Sequence, residues 1–309
     1  MTTSWHGCYD GGWGDLITPE SFAHPAKFAR GLIERIVRHG LERGYWHKGD
    51  VIGDPFGGVA LGGVVATYHG LAWVGVELEG KFVALGNDNI DLHRQKLEAL
   101  GAPIPVLLQG DSRNFAEIVQ GAAGICTSPP YADSDQNYAG GFRRVNGDAK
   151  RKGKQADASY GSSPGQIAAL PPGDLQAVVT SPPFEASLHD APSAGILRGS
   201  SARPGAGARQ VDGYGTTEGQ IGKDSGDSYW KAMHQVYDQC LKALRPGGVM
   251  AVVVKRYVKN KQIVPLSDQT LELLLHLGFQ PLERVQAMLV KESTAEGLFV
   301  QKLIPKAQP

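Results

Sequence analysis

The sequence predicts an α/β fold with a doubly wound, mostly parallel sheet, an antiparallel hairpin at one sheet edge and a large Gly-rich insertion. Short apolar runs alternate with helical patterns through residues 26–126 and again after residue 229, which is the pattern of successive strand–helix units. Several of the runs are apolar throughout, as expected for parallel strands buried on both faces. Residues 132–228 do not follow this pattern, because they are rich in Gly, Ser, Ala, Pro and charged residues and contain one apolar run, at residues 177–180.

The elements follow from hydrophobic periodicity. Helices are predicted at residues 26–43, 59–68, 81–100, 113–120, 229–244 and 266–277. Buried strands are predicted at residues 51–53, 72–76, 105–109, 122–126 and 249–254. Pro25 suits a first helical turn. Strands near residues 283–289 and 298–304 have no helix pattern between them, so they are predicted to form the edge hairpin.

Composition predicts one α/β domain made of residues 1–131 and 229–309, with residues 132–228 as inserted loops. The 309 residues include 31 Lys or Arg and 31 Asp or Glu, so the formal net charge is zero. Any binding of nucleic acid must therefore depend on local positive charge. Three cysteines without CxxC spacing and histidines without ligand spacing predict no metal site and a reducing compartment. No apolar stretch has the length of a signal or membrane segment, so we expect a cytoplasmic protein with no membrane partner.

Polar signals stand at the ends of three successive predicted strands. Residues 54–60 (DPFGGVA) form a Gly-rich turn between a strand and a helix, which lets a backbone approach a ligand closely. An acid at the next strand end is where ribose hydroxyls are bound in open α/β sheets. The predicted cofactor-binding residues of this edge are Asp54, Phe56, Gly57, Gly58, Glu77 and Asp111. On these signals alone a ligand-free turn and a nicotinamide dehydrogenase remain open, whereas the lack of a GxxxxGK[ST] motif disfavours an ATPase.

The chain carries two copies of a Ser-Pro-Pro-aromatic segment. The first copy is Thr127, Ser128, Pro129, Pro130 and Tyr131, and the second is Thr180 followed by Ser181, Pro182, Pro183 and Phe184. Paired prolines make a rigid, extended turn with few donors. Such a turn presents a hydroxyl and carbonyl oxygens beside a flat ring.

These segments resemble the catalytic motif of amino-methylating DNA methyltransferases. The resemblance implies a Rossmann-like sheet, S-adenosylmethionine as cofactor, and a flipped-out base whose amine is held by the motif while the aromatic ring stacks on it. It also implies that Glu77 binds the ribose and Asp111 meets the adenine ring. Residues 21–28 (SFAHPAKF) resemble the motif at the methionine end, which adds His24, Pro25 and Lys27 to the cofactor site. Ala60 stands where the family's glycine loop ends in Gly.

The spacing favours the first copy as catalytic, because it follows Asp111 by one short helix. The second copy leads more directly to the helix and strand after residue 229 and is the alternative. Ser before Pro-Pro resembles enzymes that methylate cytosine N4 more than those that methylate adenine N6. No Pro-Cys dipeptide supplies the thiolate that carbon-5 methylation needs.

A basic stretch at residues 143–154 predicts phosphate contact, although a solvated loop is the other interpretation. The predicted DNA-binding residues there are Arg143, Arg144, Arg151 and Lys152. DNA is therefore the expected partner, and the resemblance adds a cognate restriction enzyme. An RNA amino-methyltransferase and a catalytically inactive DNA-binding homologue are the competing functions.

Overall fold

The structure is a computed structural model that describes residues 3–9, 11–24, 27–125, 173–185, 217–259, 261–288, 290–294 and 301–305. The α-helices in these ranges are α1 (Arg30–Arg43), α2 (Leu61–Tyr68), α3 (Gly80–Ala99), α4 (Phe115–Ile125), α5 (Asp227–Ala243) and α6 (Leu266–His276). Short 3₁₀ helices cover Pro19–Ala23, Ser112–Asn114 and Ile221–Lys223.

The strands fall into one central sheet and three small ones. The central strands are β2 (Val51–Asp54), β3 (Ala72–Glu77), β4 (Val106–Gln109), β5 (Leu175–Thr180) and β6 (Leu244–Val252). The small sheets pair β1 (Thr3–Trp5) with β9 (Val285–Ala287), β7 (Tyr257–Lys259) with β8 (Gln262–Val264), and β10 (Val290–Thr294) with β11 (Gln301–Pro305).

The central sheet has the strand order β4-β3-β2-β5-β6, and all four pairings are parallel. The chain runs outward from β2 through β3 to β4 and then returns to β2's other side as β5. The order therefore reverses between β2 and β5. In open parallel sheets, ligands bind at the carboxyl ends of the strands beside such a reversal.

Helices cover both faces of this sheet, so it is doubly wound as predicted. Alternate residues of a strand face opposite sides: Ile52 packs with α1 and α2 in one core cluster, and Val51 packs with α4 and α5 in the other. On the first face, α2 lies close to β3 because Gly63 contacts the Trp73 indole, where a Cβ would approach Cε3 to 2.5 Å.

The structure corrects several predicted elements. The strand predicted at residues 122–126 is wrong, because residues 122–125 continue α4. The first helix begins at Arg30 instead of residue 26. The first strand predicted for the edge hairpin, near residues 283–289, is β9, which pairs in parallel with β1 instead. The hairpin forms from β10 and β11, and among the described strands these two pair only with each other.

The strand predicted to be fully buried at residues 249–254 is β6, which is only half-buried at its apolar end. It lies at the edge of the described sheet, where one side lacks a neighbouring strand. By contrast, Leu175–Thr180 lies within the range predicted as insertion and forms the fully buried strand β5 between β2 and β6.

None of the helices in the described ranges has the length and apolar character needed to cross a bilayer.

Candidate functional site

The candidate site lies at the carboxyl ends of β2, β3, β4 and β5, where the predicted polar residues meet. Parallel pairing places Asp54 at the end of β2 beside β3, and Glu77 beside Gln109 of β4. Backbone bonds join the loops that follow, since Gly57 N–H donates to the Val76 carbonyl oxygen at 2.8 Å and Gly110 N–H to that of Glu77 at 3.0 Å. The three strand ends therefore form one connected edge.

Asp54 is the buried acid that opens the Gly-rich loop. Its Oδ1 accepts the Phe56 N–H at 3.0 Å and the Thr180 hydroxyl at 2.9 Å. Burial raises the pKa of Asp54 to about 7 against the lowering effect of these two hydrogen bonds, and the nearby Glu77 raises it further. The residue ties the loop after β2 to the end of β5.

Gly57 and Gly58 of the loop lie close to neighbouring side chains. A Cβ on Gly57 would lie 2.7 Å from Leu107 Cδ1, and Gly58 has a φ of +54° with the His24 ring 3.4 Å from the position of a Cβ. A φ in this left-handed region favours glycine. A side chain at residue 57 would therefore displace Leu107, whereas residue 58 is restricted by its left-handed backbone conformation.

Glu77 closes the other side of the loop. Its two carboxylate oxygens accept the Gly58 N–H at 3.1 Å and the Glu79 N–H at 2.9 Å. Burial raises the pKa of Glu77 to about 7, in spite of these hydrogen bonds. An acid bound to the loop amide disfavours a pyrophosphate there, because that anion would need the same N–H and would be repelled. This geometry weakens the dehydrogenase interpretation.

Asp111 follows β4 and caps the short 3₁₀ helix after it. Its carboxylate accepts the backbone N–H of Arg113 at 2.9 Å and that residue's guanidinium Nε at 3.0 Å. Burial alone would raise the pKa of Asp111, but the hydrogen bonds from Arg113 outweigh it and lower the pKa. Next to it, the Ser112 hydroxyl donates to the Pro55 carbonyl oxygen and so joins the β2 and β4 loops.

His24 directly follows the 3₁₀ helix Pro19–Ala23, and Lys27 lies three residues further along the chain. The buried His24 ring lies edge-on to Phe82, with centroids 4.2 Å apart. The Lys27 ammonium donates to the carbonyl oxygens of Phe22 and His24 and lies over the Trp13 ring at 5.5 Å. Burial lowers the pKa of Lys27 to about 8. Lys27 thus holds the backbone at Phe22 and His24, and the His24 ring lies beside Gly58 of the Gly-rich loop.

The second Ser-Pro-Pro copy extends directly from β5. Thr180 is fully buried, Ser181 is exposed and Pro182 is buried again. The Val253 N–H donates to the Thr180 carbonyl oxygen at 2.8 Å, which holds the segment against β6. The exposed Ser181 hydroxyl therefore emerges at the carboxyl edge, immediately after the residue that bonds Asp54.

Sequence reasoning missed two residues that hold this segment. The Tyr229 hydroxyl of α5 donates to the Pro183 carbonyl oxygen at 3.0 Å. The Tyr257 ring stacks on Phe184 with centroids 5.9 Å apart and planes 25° apart, while its hydroxyl donates to Glu185 at 3.1 Å. An aromatic residue just after a predicted strand, as in residues 255–257 (KRY), was the only sequence signal available for Tyr257.

Other predicted site residues lie outside the described residues. They are Pro25, the first Ser-Pro-Pro copy (Thr127, Ser128, Pro129, Pro130 and Tyr131) and the basic set Arg143, Arg144, Arg151 and Lys152. Their roles stay predictions.

The assembled edge has a definite chemical character. Glu77 and Asp111 supply oxygen acceptors and negative charge, and Asp54 adds a buried acid behind the loop. Such an edge suits a ligand with hydroxyl donors and positive charge. Beside it, the second Ser-Pro-Pro copy offers a hydroxyl, carbonyl oxygens and an aromatic ring.

No protein-family model and no curated protein sequence matches this chain. Solved structures match at low similarity. A SAM-dependent methyltransferase from Agrobacterium tumefaciens matches 90% of this chain and 60% of its own, with 10% identity and a TM-score of 0.42. An arsenic(III) S-adenosylmethionine methyltransferase from Chlamydomonas reinhardtii matches 75% and 52%, with 11% identity and a TM-score of 0.34.

A type I restriction-modification system methyltransferase subunit from Streptococcus thermophilus matches 79% of this chain and 35% of its own, with 14% identity and a TM-score of 0.29. The chain therefore spans less than two thirds of the length of each of these three proteins.

Proposed function

We propose that this chain is an S-adenosylmethionine-dependent methyltransferase that modifies an exocyclic amino group of a flipped DNA base, with the second Ser-Pro-Pro copy as its catalytic segment. Cytosine N4 is the favoured target and adenine N6 the alternative. The observation that supports this most is the hydrogen bond of 2.9 Å from the Thr180 hydroxyl to Asp54 Oδ1. It joins the cofactor loop to the segment that would hold the amine.

The position of β5 favours the second copy over the first. β5 pairs directly with β2, the strand that leads into the Gly-rich loop. The residues after β5 therefore begin beside the loop, at the point where the strand order reverses. The sequence favoured the first copy because it follows Asp111 by one short helix, but residues 122–125, predicted as the strand that leads into that copy, continue the helix α4.

The residues of the edge fit S-adenosylmethionine. Glu77 would accept hydrogen bonds from the ribose hydroxyls, Asp111 would face the adenine ring, and His24 with the Gly-rich loop would border the methionine end. Backbone approach is possible because Gly57 and Gly58 carry no side chain. The bound cofactor supplies an electrophilic methyl group on a positively charged sulfur.

The chain's own contribution is orientation and electrostatics. An exocyclic amine is a weak nucleophile because its lone pair is delocalised into the base. The Ser181 hydroxyl and the Pro182 carbonyl oxygen would accept the amine's N–H groups and direct its lone pair away from the ring plane. The Phe184 ring would replace stacking that the base loses when it leaves the duplex. After transfer, the nitrogen releases one proton.

The DNA substrate rests on the resemblance and on the basic residues of the 143–154 stretch, here proposed to contact phosphates. Near the described site, the exposed Lys255 and Arg256 follow the carboxyl end of β6 after two intervening valines. Positive charge there would contact the backbone on either side of the flipped nucleotide. RNA offers similar phosphates, so the substrate has to be tested directly.

The test is methyl transfer from labelled S-adenosylmethionine to DNA and to RNA by the full chain, with the modified nucleoside identified by mass spectrometry. We expect label on DNA as N4-methylcytosine. Ser181→Ala should lower kcat about 100-fold, as loss of one preorganised polar contact does elsewhere. Ser128→Ala, the matched substitution in the first copy, should keep kcat within about threefold of the wild type.

Each other outcome would change one component of this proposal. Label as N6-methyladenine changes the target base, and label only on RNA replaces the substrate. A reversed effect of the two serine substitutions returns the catalytic role to the first copy. If the chain binds S-adenosylmethionine but modifies neither nucleic acid, it is the inactive homologue.

A further inference from the structure

A second buried acid at this edge, Glu79, accepts hydrogen bonds from residues far along the chain. It is 6% exposed and lies just before α3. Its carboxylate accepts the Thr217 N–H at 3.1 Å and the Thr217 hydroxyl at 2.9 Å, together with the Gln220 side-chain amide. These donors are 138 and 141 residues away in sequence. Glu79 therefore has no local capping role comparable to that of Asp111.

The donors belong to residues 217–223, which we call the strap. The strap ends in the 3₁₀ helix Ile221–Lys223 and leads into α5. Ile221 is 5% exposed and packs in the core cluster with Tyr229 and Val236 of that helix. One end of the strap is thus fixed by apolar packing, while the other end is held by Glu79.

Between these two anchors the strap passes directly over Asp111. Gly219 has a φ of +98°, and a Cβ there would lie 2.7 Å from Arg113 Nη2 and 3.0 Å from Asp111 Oδ2. Glu218 and Asp224 add Coulomb attraction to the Arg113 guanidinium. The strap therefore covers the acid that would face the adenine ring.

We propose that Glu79 is a positioning residue for cofactor binding, which holds the strap over Asp111 and so shapes the adenosine end of the pocket. This inference rests on the proposed function. Glu79 acts here through Thr217 and Gln220, whereas Glu77 would contact the ribose itself. Loosening the strap should weaken cofactor affinity and leave the methyl-transfer step, which depends on the second Ser-Pro-Pro copy, nearly unchanged.

The test measures the Kd of S-adenosylhomocysteine by calorimetry for the wild type, Glu79→Gln, Thr217→Val and the double variant. A glutamine keeps the size of Glu79 but offers an N–H₂ group to partners that are themselves donors. We expect Glu79→Gln to raise the Kd about tenfold, the size of effect when a buried polar contact is left unsatisfied. Thr217→Val should raise it about threefold, and the double variant should resemble Glu79→Gln alone, because residues that act through one contact are not additive.

Glu98→Gln is the matched control, since Glu98 is an exposed acid at the far end of α3. It should leave the Kd unchanged. The kcat of Glu79→Gln at saturating cofactor should stay within about twofold of the wild type, because the proposed contact acts on binding alone. Thermal unfolding of each variant shows that the chain is folded.

The outcomes separate this inference from the proposed function. A wild-type chain that fails to bind S-adenosylhomocysteine overturns both. Wild-type binding with an unchanged Kd in Glu79→Gln overturns only the role of Glu79. A raised Kd in Glu79→Gln with no effect of Thr217→Val, or additive effects in the double variant, means that Glu79 contacts the cofactor itself and does not act through the strap.

Discussion

The proposed cofactor side of the edge and the proposed target side are held together in different ways. On the cofactor side, Asp54, Glu77 and Asp111 each accept a backbone N–H from a residue two positions ahead in the sequence. On the target side, the second Ser-Pro-Pro copy is held from other elements. Its contacts from Tyr229 and from Tyr257 span 46 and 72 residues.

This difference separates two kinds of motif. Each of these three loops has a short-range hydrogen bond of its own, beside longer-range bonds such as that from Thr180 to Asp54. Part of their conformation therefore follows from short stretches of sequence. The two prolines of the second copy have no backbone N–H to donate. Contacts from α5 and from the strand β7 hold this turn in position. We therefore expect substitutions on the target side to change kcat, and substitutions on the cofactor side to change affinity.

The largest effect expected from this comparison is that of Tyr229→Phe. It removes the hydroxyl that donates to the Pro183 carbonyl oxygen at 3.0 Å. Without this contact the turn loses one of the bonds that fix the direction of the Ser181 hydroxyl. We expect kcat to fall about tenfold, the cost of one partly buried hydrogen bond, with the Kd of S-adenosylhomocysteine unchanged. Steady-state kinetics and calorimetry measure the two values.

Tyr237→Phe is the control for this substitution. Tyr237 lies on the same helix, is also buried, and hydrogen-bonds Thr270 of α6 instead of the Pro-Pro turn. It should alter stability without a selective loss of kcat. An equal fall of kcat in both variants would show that α5 acts through its general packing, and the comparison between the two sides would break down.

The next effect concerns pH on the cofactor side. Burial raises the pKa of Asp54 and of Glu77 from 3.8 and 4.5 to about 7. The folded chain therefore retains protons that the unfolded chain has released, and the free energy of unfolding should fall as pH rises from about 4 to about 7.

The same two acids should make ligand affinity depend on pH, because a cationic sulfonium favours the ionised carboxylates. Between pH 6 and pH 8, S-adenosylmethionine should gain about fivefold in affinity over neutral-sulfur S-adenosylhomocysteine, less than the tenfold that one fully coupled group would give.

Calorimetry at both pH values measures this ratio, and Glu77→Gln supplies the control because it removes one of the two acids. The ratio should then vary less with pH. A ratio that is constant in the wild type would place the sulfonium out of reach of both carboxylates.

The same distinction explains what the sequence could predict. The order of strands and α-helices from residue 30 to residue 120, and the positions of Glu77 and Asp111 at strand ends, follow from apolar periodicity and local turn signals, whereas β1 and the 3₁₀ helix Pro19–Ala23 were not predicted. The apolar run AEIVQGAAGIC at residues 116–126 was divided into a helix and a strand, although it continues as α4 to Ile125. Short apolar runs do not distinguish a buried helix from a buried strand.

That single error changed the choice between the two Ser-Pro-Pro copies. Strand pairing is a long-range property, and no local signal shows that β5 pairs with β2 instead of a strand before residue 127. The same holds for Glu79, whose partners lie in the strap. The sequence predicts which residue types stand at the strand ends, whereas the tertiary contacts decide which of these residues lie together.

The smallest effect is expected at Ala60, where the sequence departs from the family's glycine. Its φ of 58° is left-handed, yet the residue is fully buried and packs in the core cluster of α1 and α2. Ala60→Gly would relieve about 1 kcal/mol of backbone strain and lose about 0.8 kcal/mol of methyl burial. These contributions nearly cancel, so denaturant unfolding should show a change below about 0.5 kcal/mol, with cofactor affinity unchanged.

Gly58→Ala is the contrasting variant, because its φ is also positive but its new methyl would contact the His24 ring at 3.4 Å. It should lose about 1–2 kcal/mol of stability through left-handed strain and bind cofactor more weakly. Equal losses in the two variants would mean that Ala60 also lines the cofactor pocket, and the local account of this loop would then need the core face as well.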